Sequence, residues 1–245
     1  MRLADATWTD ADAVDTDLAL LPVGSTEQHG PHAPLGTDHL TAETIAEAAA
    51  SNYDDEVVVA PPLTVGVSEE HRQFTGTLWV SPETFRANVR EVTESLASHG
   101  WDRVVVVNGH GGNVPALGEA CQRVTRDGDA YAVPFTWFEA VGDHSSDMGH
   151  AGPLETAFLR HTHPKLVRED RVDGARDRAS DGWGEWQSHT NLAVDSAEFT
   201  ENGVVGDPAE GSADRGEQLL TLACKALCEL LDAVADRDTS RPPHK

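Results

Sequence analysis

Lysine is almost missing from this chain of 245 residues. Only Lys165, Lys225 and Lys245 carry an ammonium group, and with the arginines they make 18 basic residues against 42 acidic ones, a net charge of −24. Such a field repels nucleic acid and anionic membrane surfaces and argues against both as partners. A hydrated, self-repelling surface suits a protein of a salt-rich cytoplasm, where screening relieves the repulsion, so halophilic origin is the expectation. Cysteine is scarce too. Cys121, Cys224 and Cys228 are too few and too badly spaced for a disulfide framework or a zinc knuckle. Cys224 and Cys228, four apart in an apolar helical pattern, read as small core residues. No apolar run approaches the roughly 20 residues of a membrane span. No basic-then-apolar leader opens the chain, and no linker, low-complexity segment or repeat divides it. The expectation is one cytoplasmic domain over 1–245, with 39% apolar residues to build its core.

What is present alternates. Leu18–Val23 reads as a buried strand, 56–60 as a second stopped by Pro61 and Pro62, 103–107 as a third made of unalternating β-branched residues, and 129–134 as a fourth. Helices are expected over 38–50, from the N-cap Ser81 and Pro82 to about 99, over 114–126, and from Pro153 to about 161. A long amphipathic helix over 207–234 places Leu219, Leu220, Ala223, Leu227, Leu230 and Leu231 on one face. Residues 1–17 read as exposed, the stretch after the fourth strand up to Gly149 as a polar loop, 164–207 as aperiodic, and the last ten residues as frayed. Strands and helices in this order imply an α/β fold, three layers α/β/α with a mostly parallel central sheet.

The chemistry is concentrated in three segments. Glu27, His29, His32, Asp38 and His39 follow the first strand among glycines; His110 lies in Asn108-Gly109-His110-Gly111-Gly112-Asn113; and His150-Ala151-Gly152-Pro153-Leu154-Glu155 forms the third. Loops after neighbouring parallel strands converge outside their carboxyl ends, so the three can meet. Two imidazoles and three carboxylates form a mixed nitrogen and oxygen set suited to zinc, manganese or iron(II). One divalent ion rarely takes three carboxylates, whereas two ions about 3.5–4 Å apart with a shared carboxylate use them all. Local alternatives stay open: Glu27 and Glu155 also suit helix N-termini, and the turn at 109–112 suits a phosphate, although it lacks the lysine and spacing of a P-loop. His99, His144, His161, His163, His189 and His244 read as solvated bases.

Glu27-Gln28-His29-Gly30 with Gly36-Thr37-Asp38, the 108–113 run, and His150-Ala151-Gly152 with Leu154-Glu155-Thr156 together resemble the creatininase (creatinine amidohydrolase) family. Phe74-Thr75-Gly76-Thr77 and Gly203-Val204-Val205-Gly206-Asp207-Pro208 add to the likeness, which spans nearly the whole chain. The resemblance implies a sheet flanked by helices, a binuclear metal centre, hydrolysis of a non-peptide C–N bond in a small amide, cyclic amide or formamide, and a homo-oligomer, hexamers built from dimers. Position by position it implies Glu27, His29, Asp38, His110 and Glu155 as metal ligands, with Asp38 the bridge, and His150 as the acid/base group. His71, Phe74, Gly76, Thr77, Gly111 and Gly112 are the expected substrate contacts, and His32 and Asn113 the expected partners that orient ligands. Creatininase carries a glutamate where this chain has Gly112 and a tryptophan where it has Ser146, which speaks against creatinine as substrate. Related members include a deformylase of a formamidopyrimidine ribonucleotide in archaeal flavin and deazaflavin biosynthesis, and a peptidase that trims a redox-peptide precursor. The expected chemistry is attack of a metal-acidified water on an amide or formamide carbonyl, with His150 protonating the leaving nitrogen. The alternatives are the formamide deformylase and a metal-binding scaffold without turnover.

Overall fold

Leu18–Val23 is buried at all six positions and forms β1 at the heart of the sheet. Its alternate residues face opposite layers: Leu18 and Leu20 enter one core, Ala19, Leu21 and Val23 the other. A strand covered on both faces must be apolar throughout, which is why it shows no alternation. β2 (Val58–Val59), β3 (Arg103–Asn108) and β4 (Tyr131–Thr136) run parallel to it in the order β2-β1-β3-β4. Pro22 is tolerated in this central strand because it lies past the end of β2, where its carbonyl accepts from Leu63 N–H. The structure is a computed structural model and describes residues 1–240.

The helices are α1 (Trp8–Asp12), α2 (Thr37–Asn52), α3 (Pro82–Ser98), α4 (Val114–Asp127), α5 (Trp137–Ala140), α6 (Pro153–Thr162), α7 (Val172–Arg176) and α8 (Ala213–Ala235). α2, α6 and α8 cover one face with Ile45, Phe158 and Leu227; α3 and α4 cover the other with Phe85, Val89 and Leu117. The layers are therefore α/β/α, as expected. The chain leaves β1 toward β2 on one side and returns to β3 on the other. The strand order thus reverses between β1 and β3, and the loops after them part there to leave a crevice.

Several boundaries differ from the sequence reading. The second strand keeps only Val58 and Val59, because Pro61 and Pro62 carry no N–H to extend the ladder. The fourth begins at Tyr131 rather than 129 and runs through Thr136. The last helix begins at Ala213, not 207: Asp207 caps only the short turn Pro208–Glu210, and Ser212, whose hydroxyl accepts from Arg215 N–H, is the effective N-cap. Residues 1–17 are exposed or half-buried throughout, as expected, and are tied to the domain at their start, where Val59 N–H donates to Met1 O and Arg2 bridges Glu43 and Glu47. The stretch before Gly149 is not all polar loop, for it contains α5 with the buried Trp137. Cys224 and Cys228 are half-buried at the margin of the α8 stripe; only Cys121 is a core thiol. Of the ten residues expected to fray, 236–240 lie outside α8 and 241–245 lie outside the described residues.

Candidate metal centre

The crevice owes its shape to glycines at the strand ends. A Cβ on Gly109, just past β3, would lie 2.1 Å from the backbone oxygen of Asp38, and one on Gly24, just past β1, would lie 2.4 Å from His39 N. Only the absence of side chains there lets the first turn of α2 seat on the carboxyl ends of both strands, which brings Asp38 into the crevice. Asp38 sits in that first turn, where a helix N-terminus favours a negative charge.

The three predicted segments do converge. His29 Nε2 lies 3.1 Å from Asp38 Oδ1 and 3.6 Å from Glu155 Oε1. His110 Nδ1 lies 3.2 Å from Asp38 Oδ2 and 3.2 Å from Glu27 Oε1. His150 Nδ1 and His71 Nε2 stand 3.8 and 3.7 Å from Glu27 Oε1. Asp38 thus presents one oxygen to each of two donor groups, one with Glu27 and His110, the other with His29 and Glu155. Three sets of three residues lie close enough to hold an ion: Glu27, Asp38 and His110; His29, His150 and Glu155; and Glu27, His71 and His150.

Each imidazole is held by the nitrogen that faces away from the carboxylates. His110 Nε2 donates to Val67 O at 2.7 Å, His150 Nε2 to Gln28 O at 2.7 Å, and His29 Nδ1 to Glu27 O at 3.2 Å. A carbonyl only accepts, so these bonds fix one proton on each ring and turn His110 Nδ1, His150 Nδ1 and His29 Nε2 inward, the arrangement that orients metal-ligating histidines. Gln28 organises a fourth. Its Oε1 accepts from Gly30 N–H, which turns Nε2 toward Gly203 O and His71 Nδ1. Glu155 is anchored by Ala151 N–H on Oε2 at 2.6 Å, leaving Oε1 for His29. Ala151 is buried with φ +50°, a left-handed conformation rarely adopted outside glycine that turns the chain between His150 and α6.

Both oxygens of Glu27, Asp38 Oδ2 and His29 Nε2 are buried and make no hydrogen bond. Unsatisfied buried charges are expensive, and inward-facing nitrogen and oxygen atoms 3.1–3.8 Å apart match the edges of a coordination polyhedron. Metal–ligand bonds of about 2.1 Å give a tetrahedron with edges of roughly 3.4 Å. The residues present therefore fit divalent cations.

Charges in the cluster are strongly coupled. Burial pushes the Glu27 carboxyl up to about 7, against the pull of His110, and Asp38 adds to the rise. Burial would also neutralise Asp38, yet His29 and His110 together hold it well below the carboxylate range. His29 resists the desolvation that disfavours its charge because Asp38 and Glu155 face it, and His110 does the same through Glu27 and Asp38; both sit well above an ordinary imidazole. His150 is lowered to about 4 by burial and by His29, and His71 is lowered further by burial and its imidazole neighbours. These two are neutral bases stacked on one another, their ring centres 4.4 Å apart.

A cavity of about 380 Å³ opens onto the cluster, lined by the polar Asp38, Glu70, His71, His110, His150 and Glu155, by the apolar Pro115, Phe138, Met148 and Trp183, and by Gly111, Gly112 and Gly149. Trp183 stands edge-on to His150 and His71. Among the expected substrate contacts, His71, Gly111 and Gly112 line this cavity. Phe74, Gly76 and Thr77 do not line it: the Thr77 hydroxyl accepts from Gln28 N–H and Gly76 turns against Leu35. His32 meets Thr156 Oγ1 through Nε2, one residue from Glu155, and Asn113 ties Gly24 O to Val67 N and Asn108. Both brace loops and neither touches a carboxylate of the cluster. The 203–208 segment pairs its Val205 with His150 in both backbone directions. Sequence reasoning missed Gln28, Glu70 and Trp183; the only signal for Trp183 was a tryptophan set between Gly182 and Gly184.

The Creatininase family model, described as creatinine amidohydrolase, matches residues 4–231. A mycofactocin precursor peptide peptidase of Mycolicibacterium smegmatis is 36% identical over 226 residues, covering 90% of this chain and 83% of that protein. A creatinine amidohydrolase of Pseudomonas putida is 23% identical over 255 residues, 94% of this chain and 95% of the other. A mutant creatininase of Zn-Zn type superposes with a TM-score of 0.82 at 22% identity, covering 96% of this chain and 98% of that one.

Proposed function

The chain belongs to the creatininase family, and from the build of its buried ligand set we propose that it hydrolyses an amide C–N bond with two divalent cations that share Asp38. The observation that carries this reading is the pair of Asp38 oxygens, one 3.1 Å from His29 and the other 3.2 Å from His110. Glu27 completes the His110 half and Glu155 the His29 half. Zinc, manganese and iron(II) all suit such donors. When bound, a pair of such ions supplies an acidified water and an electrophile for the carbonyl.

The protein's own groups do the rest. Asp38 and the two anchored imidazoles keep their donor atoms fixed, so little reorganisation accompanies the reaction. His150 is neutral, its Nε2 proton is committed to Gln28 O, and its Nδ1 lone pair faces Glu27 Oε1. Nδ1 therefore takes a proton at the start of the reaction and returns it to the leaving nitrogen. Trp183, 39% exposed, screens His71 and His150 from solvent at the mouth of the cavity.

The peptidase at 36% identity favours an amide within a peptide, and we place that substrate class ahead of a cyclic amide or a formamide. Creatinine fits less well, because the position expected to carry a recognising tryptophan holds the exposed Ser146. Assembly into homo-oligomers, hexamers by resemblance, is part of the same reading, supported by the exposed Leu35, Leu78 and Trp79. No helix among the described residues is long and apolar enough to cross a membrane.

The test is amine release from short peptides, lactams and formamides by protein reconstituted with zinc, manganese or iron(II), alongside metal analysis of Asp38→Ala. Hydrolysis is expected in the parent and loss of both equivalents of metal in the variant. Undiminished metal content in Asp38→Ala would sink the bridging role.

A further inference from the structure

Glu70 lines the catalytic cavity yet stands apart from the ligand sets. Its neighbours in sequence are otherwise engaged: Glu69 lies beside Arg72 at 3.4 Å, and Arg72 also pairs with Asp195 at 3.0 Å. Among the described residues no arginine or lysine pairs with Glu70, although the chain's other cavity carboxylates, Asp38 and Glu155, both face His29. It lies beside Gly112, where a Cβ would meet Val67 O at 2.3 Å, His110 Nε2 at 2.5 Å and Glu70 Oε1 at 2.9 Å, so the glycine leaves room for the backbone, the imidazole and the carboxylate to come together at this wall of the cavity. The same cavity is lined by Phe138, Met148 and Trp183, an apolar surface of aromatic size.

A half-buried carboxylate with no arginine or lysine against it and only the His110 ring as a positive neighbour, in a cavity that also has apolar lining, is complementary to an ammonium group on an apolar body. Amide hydrolysis makes that group in every turnover: water adds across the C–N bond, the acyl carbon keeps the hydroxyl as a carboxylate, and the nitrogen leaves as an amine that is protonated at neutral pH. We propose that Glu70 is the recognition group for a protonated amine carried on an apolar or aromatic body. The amine is either part of the substrate or the one freed by hydrolysis. The inference rests on the amide-hydrolase reading of the same cavity but concerns a different residue and a different part of the ligand.

The experiment compares calorimetric binding of phenethylamine with that of neutral phenethyl alcohol, at molar salt so that the −24 field is screened. The proteins are the metal-loaded parent, Glu70→Gln, and Glu69→Gln as a charge control. Parent and Glu69→Gln are expected to prefer the amine by about tenfold or more, the range of a charged hydrogen bond; Glu70→Gln should bind both alike while keeping its metal. A second pair, phenylalanine N-methylamide against 3-phenyl-N-methylpropanamide, separates the sources. A Glu70-dependent preference here assigns the amine to the substrate, and a preference confined to phenethylamine assigns it to the product. Equal binding by the parent, no binding of either compound, a preference that survives in Glu70→Gln, or metal loss from that variant each overturns the proposal. Failure of the amide-hydrolase reading would show separately, as a metal-loaded parent that releases no amine from peptides, lactams or formamides.

Discussion

Gly109→Ala tests whether the clasp between strand ends and helix sets the metal centre. The new Cβ would lie 2.1 Å from Asp38 O and 2.8 Å from Asp38 C, both backbone atoms that no rotamer change can move. Relief requires the first turn of α2 to retreat by about 1 Å, the shortfall from ordinary non-bonded contact. Overpacking of this kind destabilises by about 1–3 kcal/mol, which lowers Tm by roughly 2–12 °C for a chain of this size. The functional loss should be larger in proportion. Asp38 lies 3.1 and 3.2 Å from its two imidazoles, and a 1 Å displacement at such a centre is enough for a rate loss of about 10²-fold. The assay is metal content by mass spectrometry after dialysis, with melting and amide hydrolysis on the same sample. A folded variant that retains two equivalents of metal and full turnover would refute the idea that glycine at this position sets the place of Asp38.

His150→Ala should keep fold and metal while losing about 10²–10⁴-fold in rate, the usual contribution of a general acid–base group; metal loss instead would make His150 a ligand. His32, buried and lowered from 6.5 to about 4 by desolvation and by His29, refuses a proton that the unfolded chain accepts. Stability should therefore fall as pH drops from about 6.5 to about 4, by up to roughly 3 kcal/mol, and level off below. Urea melts with chelator present should show that slope shrinking in His32→Gln, and an unchanged slope removes His32 from the account. Lowering salt from molar to about 0.01 M lengthens the screening distance to roughly 30 Å, so a chain of charge −24 should melt at lower temperature there. Salt-independent melting removes the halophilic reading of its composition.

The convergence of Glu27, His29, Asp38, His110 and Glu155 was legible because ligand-type side chains stood beside glycines at the ends of two buried strands and at the start of a helix, and parallel topology sends such loops to one edge. β1 and β3 were legible for the same reason: residues buried on both faces leave an unbroken apolar run. The start of α8 was not, because Asp207-Pro208 and Ser212 are both valid N-cap signals and only packing chooses between them. Glu70 was hidden by equivalence, since Glu69 beside it is an ordinary surface acid and nothing local separates the two. Trp183 lies in a stretch without period, where the short hairpin Trp186–Gln187 and Thr190–Asn191 is too small to announce itself.

Gln28 joins parts of the chain that are made at very different times. Its side-chain amide reaches Gly203 O across 175 positions, and its carbonyl holds the proton of His150. A ribosome that has delivered the loops of Glu27 and His110 has delivered donor atoms without their scaffold, for His150, the Glu155 carboxylate of α6 and the 203–208 segment paired with His150 are still to come. Hydrolytic competence is thus deferred until late in synthesis, and nascent chains or amino-terminal fragments of this protein should be silent toward amides even where they bind a cation.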